Sequence, residues 1–235
     1  MPVALITGAS KGLGRALTYA LAERGWTLVV DARGRDELRS AARGLANVTA
    51  IAGDVTDPDH RSKLAQAAAP RGGDQRGRLD LLVNNASALG VSPLPQLADY
   101  PLGDLRTVFE TNVIAPLALI QLLAEPLTEA GGTIVNVSSD AAVEAYPGWG
   151  GYGSAKAALD QLTAVLGAEE PRLRCYAFDP GDMRTEMHQL AFPGEDISDR
   201  PEPNTVVPAL LRLLDTRPPS GRYRAADLAA LEVAR

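Results

Sequence analysis

Val3-Ala4-Leu5-Ile6-Thr7-Gly8-Ala9-Ser10-Lys11-Gly12-Leu13-Gly14, running on into Arg15-Ala16-Leu17-Thr18-Tyr19-Ala20-Leu21, is the stretch that decides the fold. An apolar, β-prone run ends in a turn with little side-chain bulk, and a helix-forming segment follows. In that order the start of the helix presents unpaired N–H groups and the positive end of its dipole, which together attract a pyrophosphate. Glycine is needed where backbone must touch a ligand or the next strand. Such a turn is a weak signal alone and a stronger one as the first unit of an alternating chain.

The alternation continues outward. Strands are expected over 3–7, 27–31, 48–52, 79–84, 132–138, 173–179 and 221–225, and helices over 12–24, 35–45, 58–69, 102–127, 151–169 and 205–215. Runs such as Leu28-Val29-Val30 and Leu81-Leu82-Val83 are apolar on both faces, so helices must cover both sides of the sheet. The expected fold is α/β: a Rossmann-type doubly wound, seven-stranded, mostly parallel sheet in a single domain over 1–235. Two polar stretches break the rhythm. The one at 70–78 reads as a mobile surface loop, and the longer one at 182–204 as a lid or substrate wall.

Composition narrows the function classes. With 29 Asp plus Glu against 23 Lys plus Arg, a net charge of -6 and no basic block, the chain lacks the phosphate-neutralising surface that nucleic acids require. The longest apolar stretch, 113–124, contains Pro116 and Gln121 and falls short of the ~20 residues that span a bilayer. No membrane or nucleic-acid partner is expected. One cysteine, Cys175, makes no intrachain disulfide, and the amino terminus lacks a secretory pattern, so a cytoplasmic location is expected. His60, His188 and Cys175 do not form a ligand cluster, and no metal is expected.

In a fold of this kind, a carboxylate at the end of the second strand binds the ribose 2′-OH of NAD and repels the 2′-phosphate of NADP. The segment reads Val29-Val30-Asp31-Ala32-Arg33-Gly34-Arg35. Strand alternation turns Ala32 to the ribose, with Arg33 just beyond and Lys11 adding a second cation, which favours NADP(H) over NAD(H). A register one residue off would place Asp31 there and select NAD. Arg33 and Arg35 also read as a solvated helix start.

Tyr152 and Lys156 lie four apart at the start of a helical segment, on one face. An ammonium beside a phenol stabilises its phenolate and lowers its pKa. Ser139, thirteen residues before Tyr152, sits at the carboxyl end of a strand, where open parallel sheets bind ligands.

Taken together, Thr7 to Gly14, Asp54-Val55, Asn84-Asn85-Ala86, Asn112, Ser139, Tyr152-Gly153-Ser154-Ala155-Lys156 and Pro180-Gly181 with Thr185 resemble the short-chain dehydrogenase/reductase family over nearly the whole chain. The resemblance implies a catalytic set of Asn112, Ser139, Tyr152 and Lys156. Tyr152 would be the proton donor, Lys156 would lower its pKa and bind the nicotinamide ribose, Ser139 would bind the substrate oxygen, and Asn112 would hold a water leading to Lys156. It also implies cofactor contacts at Gly8, Ser10, Lys11, Gly12, Leu13, Gly14, Arg33, Asp54, Val55, Asn85, Ala86, Tyr152, Lys156, Pro180, Gly181, Met183 and Thr185. Ser87 departs from the family's usual glycine and must avoid a strongly positive φ. Ser138 should point away from the site. Asn112 also reads as a satisfied mid-helix amide.

By family position the substrate pocket would be lined by Ala88, Leu89, Val91, Asp140, Ala141, Glu144, Tyr146, Trp149 and the lid over 183–197. Trp149 reads equally as substrate wall or lid support. His188 reads as a surface lid residue rather than a catalytic one, and Asp140 and Glu144 as partners for an amine or hydroxyl, or as solvated carboxylates. The expected function is NADP(H)-dependent hydride transfer to or from a small-molecule carbonyl or alcohol, in a homodimer or homotetramer. Reduction of a pterin or quinone is the alternative within the family, and a silent nucleotide-sensing or scaffold protein the alternative outside enzymes.

Overall fold

The computed structural model describes residues 1–69 and 77–233. The seven strands are β1 (Val3–Ile6), β2 (Thr27–Ala32), β3 (Val48–Ala52), β4 (Leu81–Asn84), β5 (Thr133–Val137), β6 (Arg174–Asp179) and β7 (Gly221–Arg224). They form one sheet in the order β3-β2-β1-β4-β5-β6-β7. All six pairings are parallel, so the expected "mostly parallel" becomes wholly parallel among the described residues. The chain winds from β1 toward β3, then returns to β4 on the other side of β1, which opens a crevice at the carboxyl ends of β1 and β4.

Successive side chains on each strand feed opposite cores. Ala4, Ile6, Leu28, Val30, Leu81 and Val83 pack against Leu13, Leu17 and Leu21 of helix α1 (Gly12–Glu23) and Leu210 and Leu213 of helix α8 (Val207–Thr216). Leu5, Val29, Leu82 and Ile134 face Leu64 of helix α3 (Pro58–Ala68) and Leu119, Leu123 and Leu127 of helix α5 (Ala115–Ala130). This two-sided burial is why the strands carry apolar runs rather than polar alternation.

Several boundaries move for local reasons. The expected helix at 35–45 is α2 (Arg35–Ala41), stopped before Gly44 and Asn47, both at positive φ. The helix at 102–127 is α4 (Leu102–Phe109), a π-helical turn (Glu110–Ile114) and α5. By length and composition this run from Leu102 to Ala130 is long and apolar enough to cross a membrane; here its apolar face lies on the sheet. The helix at 151–169 is α6 (Gly150–Glu169).

Helix α7 (Glu186–Ala191), inside the 182–204 stretch, and α9 (Ala225–Val233) carry too short or too weak a pattern to stand out in the sequence. Thr185 is the signal for α7: its hydroxyl accepts the His188 N–H at 3.1 Å as an N-cap. The expected mobile loop falls on residues outside those described, except 77–78.

Candidate active site

The carboxyl ends of the strands enclose a cleft of about 1160 Å³. That is more than the ~300–1,000 Å³ common for a single small ligand, and it suits a dinucleotide with a second molecule beside it.

At its mouth the glycine-rich turn is held by side chains that bind backbone. Thr7 Oγ1 accepts the N–H groups of Asn85 and Ala86, each at 3.0 Å, and Asn85 Nδ2 donates to the carbonyls of Thr7 (2.9 Å) and Gly8 (3.0 Å). Gly8 has φ +68°, and a Cβ there would sit 2.8 Å from Ala86 Cα. Side-chain bulk would therefore close the cradle, and its shape fits a pyrophosphate at the start of α1. Gly8, Ser10, Lys11, Gly12 and Leu13 line the cleft, whereas Gly14 does not. A Cβ on Gly14 would lie 2.5 Å from the Gly8 carbonyl oxygen, so this glycine serves close packing of α1 on the turn rather than ligand contact.

Asp31 is committed inward. Its Oδ1 accepts the Gly8 N–H at 3.0 Å and its Oδ2 lies 3.0 Å from Nε2 of the buried His60. Burial pushes the Asp31 carboxyl above its ordinary pKa, against the pull of those two bonds. Gly53 makes room for His60, since a Cβ there would be 2.2 Å from Nδ1. Ala32 and exposed Arg33 line the cleft beyond Asp31, with Asp54, Val55, Asn85 and Ala86. Asp54 has its carboxyl below the usual range: burial pushes up, but the Thr56 N–H and hydroxyl, both at 2.8 Å, and Arg33 nearby outweigh it. Lys11 is not a free cation, because it is paired with Glu186 of α7.

Deeper in, Tyr152 and Lys156 project from the first turns of α6, both buried. Lys156 Nζ donates to the Val137 carbonyl at 2.7 Å and lies 5.5 Å from the Tyr152 ring centroid. Burial drives the Tyr152 phenol above its ordinary pKa, the neighbouring Ser87 and Ser139 hydroxyls pulling the other way, so desolvation rather than Lys156 sets the direction here. The same desolvation lowers Lys156 to about 8, with Asp160 opposing.

Ser139, just after β5, donates to Asp140 Oδ1 at 2.9 Å, and its Oγ accepts the Ala141 N–H at 3.2 Å. Ser138 also borders the cleft, against the expectation that it points away, and its side chain interacts with Asp160. Asn112 sits in the π-helical turn, a distortion frequent at functional sites. It is buried and does not line the cleft. Its Oδ1 accepts Ala88 N–H (2.8 Å) and the Ser87 hydroxyl (3.2 Å), and its Nδ2 donates to Ala88 O (2.9 Å). The side chain thus positions the Ser87-Ala88 segment. Ser87 avoids positive φ, as its side chain requires, and its link to both Asn112 and Tyr152 went unread in the sequence.

Pro180, Gly181, Met183 and Thr185 line the cleft on the α7 side, and Ala88, Leu89, Asp140, Ala141, Tyr146 and Trp149 complete the inner wall. Val91 and Glu144 stand off it. Both carboxylate oxygens of Asp140 are engaged, Oδ2 by the Tyr146 hydroxyl at 3.1 Å, so Asp140 is not a solvated carboxylate. Trp149 both lines the cleft and supports the lid, with ring centroids 5.8 Å from Tyr152 and 6.0 Å from Phe192. His188 is largely buried rather than a surface residue, its ring 4.9 Å from that of Phe192. Among the described residues no His, Cys, Asp or Glu group is arranged to hold a metal.

This arrangement can seat a dinucleotide along the glycine-rich turn and present two hydroxyls and a phenol to a neighbouring oxygen. The family model described as short chain dehydrogenase matches residues 2–196. A serine 3-dehydrogenase from Agrobacterium fabrum is 37% identical over 187 residues, covering 78% of this chain and 72% of its own. A mouse sepiapterin reductase is 33% identical, covering 80% and 77%. The solved structure of an Escherichia coli CFT073 short chain dehydrogenase complexed with NADPH superposes with a TM-score of 0.86 at 29% identity, covering 95% of this chain and 96% of that one.

Proposed function

Because the chain belongs to the short-chain dehydrogenase/reductase family of oxidoreductases, which bind a nicotinamide cofactor, we propose that it is an NADP(H)-dependent carbonyl/alcohol oxidoreductase acting on a small organic substrate. One observation carries this reading: a buried phenol, Tyr152, beside the Ser87 and Ser139 hydroxyls on the inner wall of a cleft whose outer part fits a pyrophosphate. The nicotinamide, when bound, supplies or accepts the hydride.

Tyr152 keeps its proton at neutral pH because burial disfavours the phenolate, which suits a group that must give a proton to a carbonyl oxygen. Ser139 and Ser87 orient that oxygen and the phenol. Lys156, with its pKa near 8, changes charge close to working pH behind the tyrosine and is placed to pass a proton on. Asn112 holds the Ser87-Ala88 wall.

Three features support NADP(H) over NAD(H). Asp31 is engaged by Gly8 and His60, Ala32 rather than a second acid follows it on the cleft wall, and Arg33 is exposed at the rim. Lys11 would join Arg33 by leaving Glu186. The 182–204 stretch acts as the lid of one catalytic domain spanning 1–235. The mouse sepiapterin reductase among the relatives favours a pterin as second reading, served by the same residues. A nucleotide sensor would need none of the proton machinery. A homodimer or homotetramer is part of the proposal, supported by exposed Leu102, Ile114, Leu122 and Val165 on α4 to α6; light scattering showing only monomer would remove it. So is a cytoplasmic location, supported by the unpaired Cys175 and tested by where a tagged chain accumulates.

The test is NADPH consumption with aldehydes, ketones, diketones, quinones and pterins, wild type beside Tyr152→Phe. Turnover should vanish in the variant while NADPH binding persists. Equal turnover in the variant would sink the assignment.

A further inference from the structure

We propose that Arg222, on β7, is a positioning residue that holds the Ser139 strand end, the Pro180-Gly181 loop and helix α6 in mutual register. The proposal builds on the carbonyl oxidoreductase reading. Its residue lies beyond the 2–196 match to the family model, in a part of the chain to which no motif points.

The guanidinium engages three elements at once. Nη2 donates to the Ser139 carbonyl at 2.9 Å and to Asp179 Oδ2 at 2.8 Å, and Nε donates to Asp160 Oδ2 at 3.0 Å. The first bond fixes the backbone of the serine whose hydroxyl meets Tyr152. The second fixes Asp179, whose Oδ1 accepts the Gly181 N–H at 3.0 Å, so the loop lining the cleft beyond β6 is held at one remove. The third reaches α6 one helical turn after Lys156.

These groups are mostly out of water: the side chains of Arg222, Asp160 and Asp179 are 25%, 14% and 4% exposed. Burial pushes the Asp160 carboxyl up, while Ser138, Arg222 and Lys156 pull it down. A planar fork reaches these acceptors from two nitrogens in fixed directions, whereas a lysine presents all its donors from one freely rotating ammonium. β7 pairs with β6, opposing Ala177 to Arg222, which sets the guanidinium beside the carboxyl ends where chemistry takes place. A small displacement of reacting groups costs on the order of 10²-fold in rate.

The experiment compares wild type with Arg222→Ala, Arg222→Lys and Asp160→Asn. It reads kcat and KM, rescue by added guanidinium, and hydrogen exchange across the chain. The expected result is a kcat loss of about 10²-fold in Arg222→Ala, with the KM for NADPH rising far less than kcat falls, the signature of lost alignment. Guanidinium should restore part of it in the alanine variant and none in the lysine variant. Backbone amides over 139–141 and 181–183 should exchange faster, while those over 8–14 keep their wild-type rates.

Folded variants with wild-type kcat and wild-type exchange would overturn the proposal, as would a loss that only tracks the unfolded fraction by circular dichroism. If the alanine variant does not fold, Arg222→Lys and Asp160→Asn decide. If wild type reduces no carbonyl, the functional reading fails, and exchange still decides whether Arg222 holds these segments.

Discussion

The two ends of the cleft are built in different ways. Around the glycine-rich turn, side chains bind backbone: Thr7 and Asn85 hold the β1 and β4 ends together, and Asp31 holds the Gly8 N–H. At the inner end, side chains from separate elements bind one another: Ser87 with Asn112, Tyr152 with Ser87 and Ser139, and Arg222 with Asp160 and Asp179. The outer end must fit an anionic ligand whose shape backbone N–H groups can match, so glycine and short polar residues suffice. The inner end must align a proton donor with a reacting carbon, and that takes rigid partners from several directions.

The largest effect on this contrast is expected from Gly14→Ala. Its Cβ would meet the Gly8 carbonyl oxygen, a backbone atom, at 2.5 Å and Asn85 Nδ2, which is tied to the Thr7 and Gly8 carbonyls, at 2.5 Å. A stability loss of about 3 kcal/mol and loss of NADPH binding should follow, read by denaturant melts and fluorescence titration. Wild-type binding in that variant would show the turn to be less tightly fitted than its geometry states.

Next in size is Arg33→Ala, which leaves the turn intact. The Kd for NADPH should rise by about 10- to 100-fold through loss of a charge-assisted contact, with NADH binding unchanged. Parallel losses for both cofactors would move Arg33 from phosphate recognition to general support of the rim.

The last of these effects belongs to the inner end and is read from pH, spread over a window rather than lost at one condition. Burial holds Lys156 at about 8 in the folded chain, against an ordinary 10.5. The unfolded chain therefore binds more protons between those values, and this group makes stability rise with pH across that window. Lys156→Met removes the contribution, so the stability of wild type relative to the variant should climb from pH 8 to 10.5. Thermal melts of both proteins at several pH values check it; a flat difference would mean the ammonium is not desolvated.

Legibility in the sequence follows the same division. Val3 to Gly14 announces its own conformation, since strand, turn and helix are contiguous and each is a local preference. Helical spacing alone puts Tyr152 and Lys156 on one face. Gly14 packs against the Gly8 carbonyl and stands off the cleft wall, and a glycine that meets a ligand and one that meets another backbone look alike in sequence. Lys11 was counted as a free cation because Glu186, 175 residues on, gives no hint of reaching it. His188 was read as a surface residue because α7 is a single short helix in a polar stretch, and its burial depends on Phe192 and the lid around it.

The sheet, its two covering layers and the turn at the start of α1 are legible in apolar period and local turn chemistry alone. Ser139, Tyr152 and Lys156 stand out only through the family resemblance that joins motifs from several elements. Only the tertiary structure decided how the charges are spent: Asp31 turned inward onto Gly8 and His60, Arg222 shared among Ser139, Asp160 and Asp179, and Tyr152 raised rather than lowered. The strength of a charge depends on how much water surrounds it and which partner stands opposite, and both are set when distant segments meet.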